Sequence, residues 1–272
     1  MSKLVKYNEI KYKIELRKGG DMKTKKRYII IPVLIIAALF VLFLYKSEEA
    51  RIILNGPIFK NFLYEDGKNE ELKKLNIKSN SDYNENGIDD YTDFVNGARK
   101  DAENHPKYVP DYVKDNNGYP DKYSGVCTDV IWRAFREAGY SLRSILIKDI
   151  ERFPQDYPMV EKPDNNIDFR RVKTLRPFFE KYCTVLTNEV KDPKDFQPGD
   201  IIIFGPNDFH IGMCSDNRNS EGFPFIFHNG GQLKREDDYI KRSPITGHYR
   251  FERENIPIDV IVPWDEGEYR EI

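Results

Sequence analysis

The hydrophobic pattern of this chain has two regimes. From Tyr28 to Tyr45 it is one apolar run of 18 residues without a charge, YIIIPVLIIAALFVLFLY; beyond it, apolar residues come in short periodic groups. Eighteen helical residues rise about 27 Å, close to the roughly 30 Å hydrocarbon core of a bilayer, so 28–45 is expected to be a single transmembrane signal anchor. A cleaved signal peptide is the alternative reading of a short run that contains Pro32, but the following YKSEEA offers no clear small-x-small cleavage site. Residues 46–80, rich in Lys, Glu and Asn, predict a stalk with short helical pieces.

After the stalk the period becomes helical and then alternating. A helix is expected over Tyr91 to Asn104, and Pro106 to Gly125, with three prolines, as an irregular loop. In CTDVIWRAFREAGY the apolar residues Val130, Ile131, Ala134, Phe135 and Ala138 recur at three- and four-residue spacing, so a helix starts at or near Cys127 and Gly139 ends it. A further helix is expected over Val172 to Tyr182. Strand-like runs follow at Thr184 to Leu186, Asp200 to Phe204, His210 to Ser215, Phe223 to His228 and Gly247 to Phe251, with a last one at Val260 to Val262. Helices that lead and strands that follow predict an α+β fold with an antiparallel sheet.

Charge changes the picture at the N-terminus. The net charge of −2 hides ten Lys/Arg against three Asp/Glu in residues 1–27, so the segment is basic and the rest acidic. Because the basic segment runs directly into the apolar run, it argues for a membrane and against nucleic acid. Lys23, Lys25, Lys26 and Arg27 would hold that end in the cytoplasm and place the body outside. Lys18-Gly19-Gly20-Asp21 is what a translated purine-rich ribosome-binding sequence would encode, so synthesis is expected to begin at Met22; a native mass that includes residues 1–21 would reject this. With 272 residues, 39% hydrophobic, 17 Phe and 17 Tyr, the chain can hold one ordinary core plus appendages. The boundaries follow as a basic segment 1–27, anchor 28–45, stalk 46–80, globular domain 81–265 and tail 266–272.

Asp82-Tyr-Asn84-Glu-Asn86-Gly87-Ile88-Asp-Asp90-Tyr-Thr-Asp93 opens the domain. Oxygen-bearing side chains fall at loop positions 1, 3, 5, 9 and 12, Gly87 at position 6, and Ile88 would offer its carbonyl at position 7, the spacing of an EF-hand-type Ca2+ loop. A structural Ca2+ is expected on Asp82, Asn84, Asn86, Ile88, Asp90 and Asp93. The bland alternative is an Asx-rich turn that caps the next helix.

Three cysteines are too few for a disulfide framework in an exported domain. Cys183 and Cys214 sit in apolar runs and are expected to be buried and inert. Cys127 differs, because the first turn of a helix favours thiolate through its free N–H groups and can also hold an oxyanion on the Cys127 N–H. Such a nucleophile needs an imidazole. His105 precedes a proline outside the core, whereas His210, His228 and His248 lie in the strand region. If the runs around His210 and His228 form a hairpin turning near Asn217 to Gly222, the two histidines face each other on one side of the sheet. His210 is then the base and His228 its orienting partner, with Asn229 as the alternative on the other face. For Asp129 a cap or ion pair is the first reading, for His248 a satisfied strand position and for Arg171 an ion pair; each is also a candidate substrate contact. No cofactor is expected for catalysis.

Gly125-Val-Cys127-Thr-Asp129-Val opening a helix, then Gln-Pro198-Gly199-Asp200-Ile-Ile-Ile-Phe, then His210-Ile-Gly212-Met, resembles the layout of the NlpC-type peptidases, papain-like hydrolases of bacterial cell walls. More closely, GVCTDV, FHIGMCSD, HNGG and ITGHYR together resemble an uncharacterised bacterial domain family usually grouped with them, over roughly residues 89 to 251. The resemblance implies a papain-like fold with the nucleophile at the start of a helix packed on an antiparallel sheet. It further implies a Cys127–His210–polar triad acting on peptidoglycan stem peptides that contain D-amino acids, and a turn rather than a ligand site at Pro198-Gly199-Asp200. Those peptidases carry Asp-Cys-Ser-Gly where this chain has Val126-Cys127-Thr128-Asp129, and for their upstream oxyanion tyrosine Tyr119 and Tyr123 are the candidates. Transfer to an amine, as in transglutaminase-like proteins, and a silent wall-binding module are the rival functions.

Overall fold

The computed structural model of the chain describes residues 71–267, 269 and 270. The basic segment, the anchor over 28–45, the start at Met22 and the stalk up to residue 70 lie outside the described residues. Among the described residues no helix is long and apolar enough to cross a membrane.

Among the described residues four α-helices cover one face of a six-stranded antiparallel sheet, a mixed α+β arrangement. The first helix, α1 (Asp90–Glu103), is capped by Asp89, whose carboxylate accepts the Thr92 N–H. Two short strands, β1 (Lys107–Tyr108) and β2 (Ser124–Gly125), then pair in parallel, with Tyr108 beside Gly125. Residues 106–125 are therefore not wholly irregular: their two ends are joined by a ladder between strands too short to leave a hydrophobic period.

Helix α2 (Cys127–Glu137) follows at once, its Val130, Ile131, Ala134 and Phe135 fully or almost fully buried. It crosses α1 closely, since a Cβ on Gly97 would stand 2.7 Å from the Arg133 carbonyl oxygen and 2.8 Å from the Ala134 Cα. Only a glycine permits that approach. Helix α3 (Leu142–Arg152), which the sequence analysis passed over, is capped by Ser141 and buries Leu142, Ile145, Leu146 and Ile150. Helix α4 (Val172–Tyr182) has the expected bounds.

The sheet comprises β3 (Thr184–Val185), β4 (Ile201–Phe204), β5 (His210–Arg218), β6 (Pro224–Phe227), β7 (Glu236–Asp237) and β8 (Ile245–Arg250), in the order β3-β8-β4-β5-β6-β7. Its alternation splits the interior into two cores. Ile201, Ile203, Ile211, Met213 and Phe227 pack with the helices, whereas Ile202, Phe204, Cys214 and Ile226 form a smaller core with Phe196, Phe223 and Ile240 on the far face. Val260 to Val262 is not a strand; its neighbour Pro263 makes an isolated bridge to Tyr140.

Both ends of the folded body extend past the expected limits. Asn76, within the expected stalk, donates to the Asp216 carbonyl at 2.9 Å and accepts from Arg218 Nε at 2.7 Å. In the expected tail, Tyr269 packs on Trp132 with ring centroids 5.7 Å apart, and the Arg270 N–H donates to Asn116 Oδ1 at 2.9 Å.

Candidate active site

Cys127 is the first residue of α2, placed there by the Pro106–Val126 segment that returns through β2. Its sulfur accepts the N–H of Ile211, and the Thr128 and Cys127 N–H groups of the helix start also favour its thiolate. Burial wins nevertheless: with 8% of the residue exposed and the Asp129 charge nearby, the thiol is pushed up to about 11. The resting sulfur is thus a neutral thiol, not the thiolate that the helix position alone favours.

The start of α2 is fixed from below by a buried ion pair. Arg170 donates from Nε to Asp129 Oδ1 and from Nη2 to Asp129 Oδ2, both at 2.9 Å. Asp129 also accepts the Val126 N–H at 2.6 Å and the Trp132 indole N–H at 2.8 Å, while the Thr128 hydroxyl donates to the Arg170 carbonyl at 2.9 Å. Four donors on one fully buried carboxylate leave it nothing to offer a substrate. Asp129 therefore holds the turn that carries Cys127, which corrects its candidacy as a substrate contact in favour of the ion-pair reading.

His210 begins β5, one residue before the Ile211 N–H that reaches the sulfur. Its Nε2 lies 2.8 Å from His228 Nδ1, and both rings pack on Tyr239. The structure thus brings His210 and His228 together on one side, as the hairpin argument requires. The register is shifted, however: Met213 pairs with Phe227, which carries His228 opposite Gly212, two residues along from its expected partner. An even shift keeps the face. That face is the one bearing the smaller core, with Phe204 6.2 Å from the His210 ring.

No hydrogen bond joins Cys127 to either imidazole among the described residues. Strand N–H groups point in the plane of a sheet, so a sulfur that accepts the Ile211 N–H sits level with β5 instead of above one face. His210 Nδ1 has no hydrogen-bond partner, yet it is not among the fully buried unpartnered atoms; solvent reaches it. Burial holds His210 down at about 4 and His228, which also feels His210, at about 3, so both rings rest neutral.

Asn229 lies on the opposite side from His228. Its Nδ2 donates to the Gly125 carbonyl at 3.3 Å and the Pro106 carbonyl at 3.4 Å, tying the β6 end to the segment before Cys127. It touches neither imidazole by hydrogen bond.

Above the sulfur is an open cleft of about 610 Å³ whose lining includes Tyr108, Cys127, Arg171, Lys173, Asp208 and Phe209. Arg171 is half-exposed and only loosely paired to Asp168 at 3.3 Å, so it faces this cleft as a candidate substrate contact. His248 does not. It is fully buried, with Nδ1 2.7 Å from the Thr187 carbonyl and Nε2 3.1 Å from Asp200 Oδ2, and its ring is stacked on Phe196. Tyr119 is 1% exposed in an aromatic cluster with Trp132 and Phe169 and does not line the cleft, while Tyr123 lies at the surface. A tyrosine that does line the cleft with Cys127 is Tyr108. Sequence reasoning missed it because its place depends on the β1–β2 ladder, which has no local signature.

Pro198-Gly199-Asp200 is a turn, with Gly199 at a φ of +83° and Asp200 paired to Arg250 at 2.7 and 2.8 Å. Cys183 and Cys214 are buried free thiols, lifted well above the ordinary range by desolvation.

Residues 95–251 match the family model described as "Domain of unknown function (DUF1287)", more than half of the chain, and the protein belongs to that family. Among its relatives is "Uncharacterized protein YijF" of Escherichia coli (strain K12), 32% identical over 165 residues, which cover 58% of this chain and 80% of that protein. No solved structure matches.

Proposed function

We propose that this protein is a membrane-anchored, extracytoplasmic cysteine hydrolase of papain-like, NlpC-type layout that cleaves peptide bonds in peptidoglycan stem peptides. What carries the reading is one arrangement. Cys127, at the first residue of a helix packed on an antiparallel sheet, lies at an open cleft, and the His210–His228 pair begins one residue from the N–H that touches its sulfur.

The chemistry follows from the neutral resting state. As the sulfur attacks the peptide carbonyl carbon, His210 Nδ1 takes the thiol proton, and His228 at Nε2 steadies the imidazolium. The carbonyl oxygen, now negative, is held by the Cys127 N–H, with the Tyr108 hydroxyl at hand. His210 gives its proton to the departing amine, leaving a thioester. Water then attacks the thioester, His210 removes its proton and returns it to sulfur, and the carboxylic acid leaves. Arg171 and Lys173 on the cleft wall suit the free carboxylates of stem peptides.

One observation favours a silent wall-binding module instead: the thiol is buried, protonated and without a hydrogen bond to an imidazole. The full chain, purified in detergent and incubated with peptidoglycan fragments, separates the two by mass spectrometry. New peptide products are expected from the wild type and a loss of at least about 10³-fold in Cys127→Ala, the scale of a lost nucleophile. Equal products from both would end the hydrolase reading.

A further inference from the structure

The segment Asp82–Asp93 is separate from the cleft, and its carboxylates are not explained by helix capping, because Asp89 caps α1. Asp82 accepts the N–H groups of Asn86 at 3.1 Å and Gly87 at 2.8 Å, which curls the chain around its carboxylate. Gly87, at a φ of +86°, makes the turn. The side chains of Asn84 and Asn86 then converge on one oxygen from the following helix, both donating to Asp93 Oδ2, at 3.1 and 2.9 Å.

Asp93 is the informative residue. It is 1% exposed, and its second oxygen, Oδ1, is buried with no hydrogen-bond partner. A buried carboxylate oxygen without a donor is costly, and here the neighbouring charges are Glu137 and Asp82, both negative. Among the described residues no cation pairs with it: the nearby Lys100 pairs with Glu137 at 2.5 Å. The missing component is positive and small.

We propose that Asp82, Asn84, Asn86, the Ile88 carbonyl and Asp93 form a Ca2+ site. The donor set is two carboxylates, two side-chain amides and a backbone carbonyl, the hard oxygen ligands that Ca2+ takes. Asp90 is removed from the ligands expected from sequence. Both of its oxygens are used, by the Tyr83 N–H at 2.9 Å and the Tyr140 hydroxyl at 2.6 Å. Its loop position is often filled by water, so the site survives the correction.

The ion's place in the fold is at the far end of the nucleophile helix. Asn84 Nδ2 also donates to the Glu137 carbonyl at 2.8 Å, the last residue of α2, and Tyr83 stacks on Tyr140 with centroids 4.2 Å apart. Ca2+ would therefore pin the start of α1 to the end of α2, independently of what Cys127 does.

The test is a thermal melt and a calorimetric titration of the full chain in detergent, using CaCl2, MgCl2 and EGTA. Ca2+ at about 100 times its Kd is expected to raise Tm by about 5 °C or more over EGTA, with a Kd on the order of 10⁻⁵ to 10⁻³ M, while equimolar Mg2+ gives less than a third of that shift. Asp93→Asn should weaken Ca2+ binding at least about 30-fold. Because a buried substitution can impair folding, Asp82→Ala, at a partly exposed position, is the second variant and should lose at least about tenfold. Identical melts in Ca2+ and EGTA, or wild-type affinity in folded Asp82→Ala, would overturn the site.

Discussion

His248 and the His210–His228 pair are buried histidines on the same face of one sheet, yet their hydrogen bonding differs. Each nitrogen of His248 faces an oxygen, of Thr187 or Asp200, and Asp200 is in turn clamped by Arg250. Nothing about it is left over. In the pair, one hydrogen bond joins the rings, His228 Nε2 is buried without a partner, and His210 Nδ1 makes no hydrogen bond. The difference teaches that burial alone does not say whether an imidazole is fully bonded; the hydrogen-bonding capacity left over does, and under the proposed function that spare capacity is what His210 would use.

That contrast can be broken by mutation. The largest expected effect is on His210→Ala, which should lower kcat on peptidoglycan fragments about 10³-fold, equivalent to about 4 kcal/mol in the barrier, at nearly unchanged KM. If the folded variant kept most of its activity, His210 would join His248 as a structural residue. His248→Ala is the mirror experiment. It leaves a cavity beside Phe196 and takes a partner from Asp200, so urea denaturation should show a loss of about 3 kcal/mol, with kcat per folded molecule within about twofold of wild type.

The smallest effect sharpens the comparison through pH. Burial lowers His210 and His228 from the ordinary 6.5 to about 4 and about 3, so the unfolded chain binds protons that the folded pair refuses. Their contribution is fully present above pH 6.5 and is lost as pH falls towards those values, about 2 kcal/mol for each ring by pH 5. The double variant His210→Gln/His228→Gln should lose most of that slope between pH 7 and 5. An unchanged slope would show that the acid sensitivity belongs to carboxylates elsewhere.

Much of this was legible one residue at a time. The apolar spacing after Cys127 reflects a stripe that must be buried whatever lies beneath it, and the bounds of α4 follow from the same rule. Alternation put His210 and His228 on one face, and survived a two-residue error in register because the period of a strand is two. Other features were hidden for physical reasons. The helix start favours thiolate locally, but desolvation by the packed surroundings of Cys127 outweighs it, and burial is a property of the whole fold. Tyr119 and Tyr108 are both tyrosines upstream of Cys127; that Tyr108 reaches the cleft Cys127 lines, and Tyr119 does not, follows from the pairing of Tyr108 with Gly125.

The sequence by itself determined what its short-range periods can encode: helices that carry one apolar stripe, strands that alternate, a turn at Gly199, and a loop with oxygen atoms at alternate positions. Tertiary structure alone decided which polar groups have spare bonds. Asp129 is exhausted by Arg170, Trp132 and Val126, Asp90 by Tyr140 and Tyr83, and His248 by Thr187 and Asp200, whereas Asp93 Oδ1 and His228 Nε2 are left unpaired. The reason is that a hydrogen bond closes between groups far apart in the chain, and no local pattern records who the distant partner is.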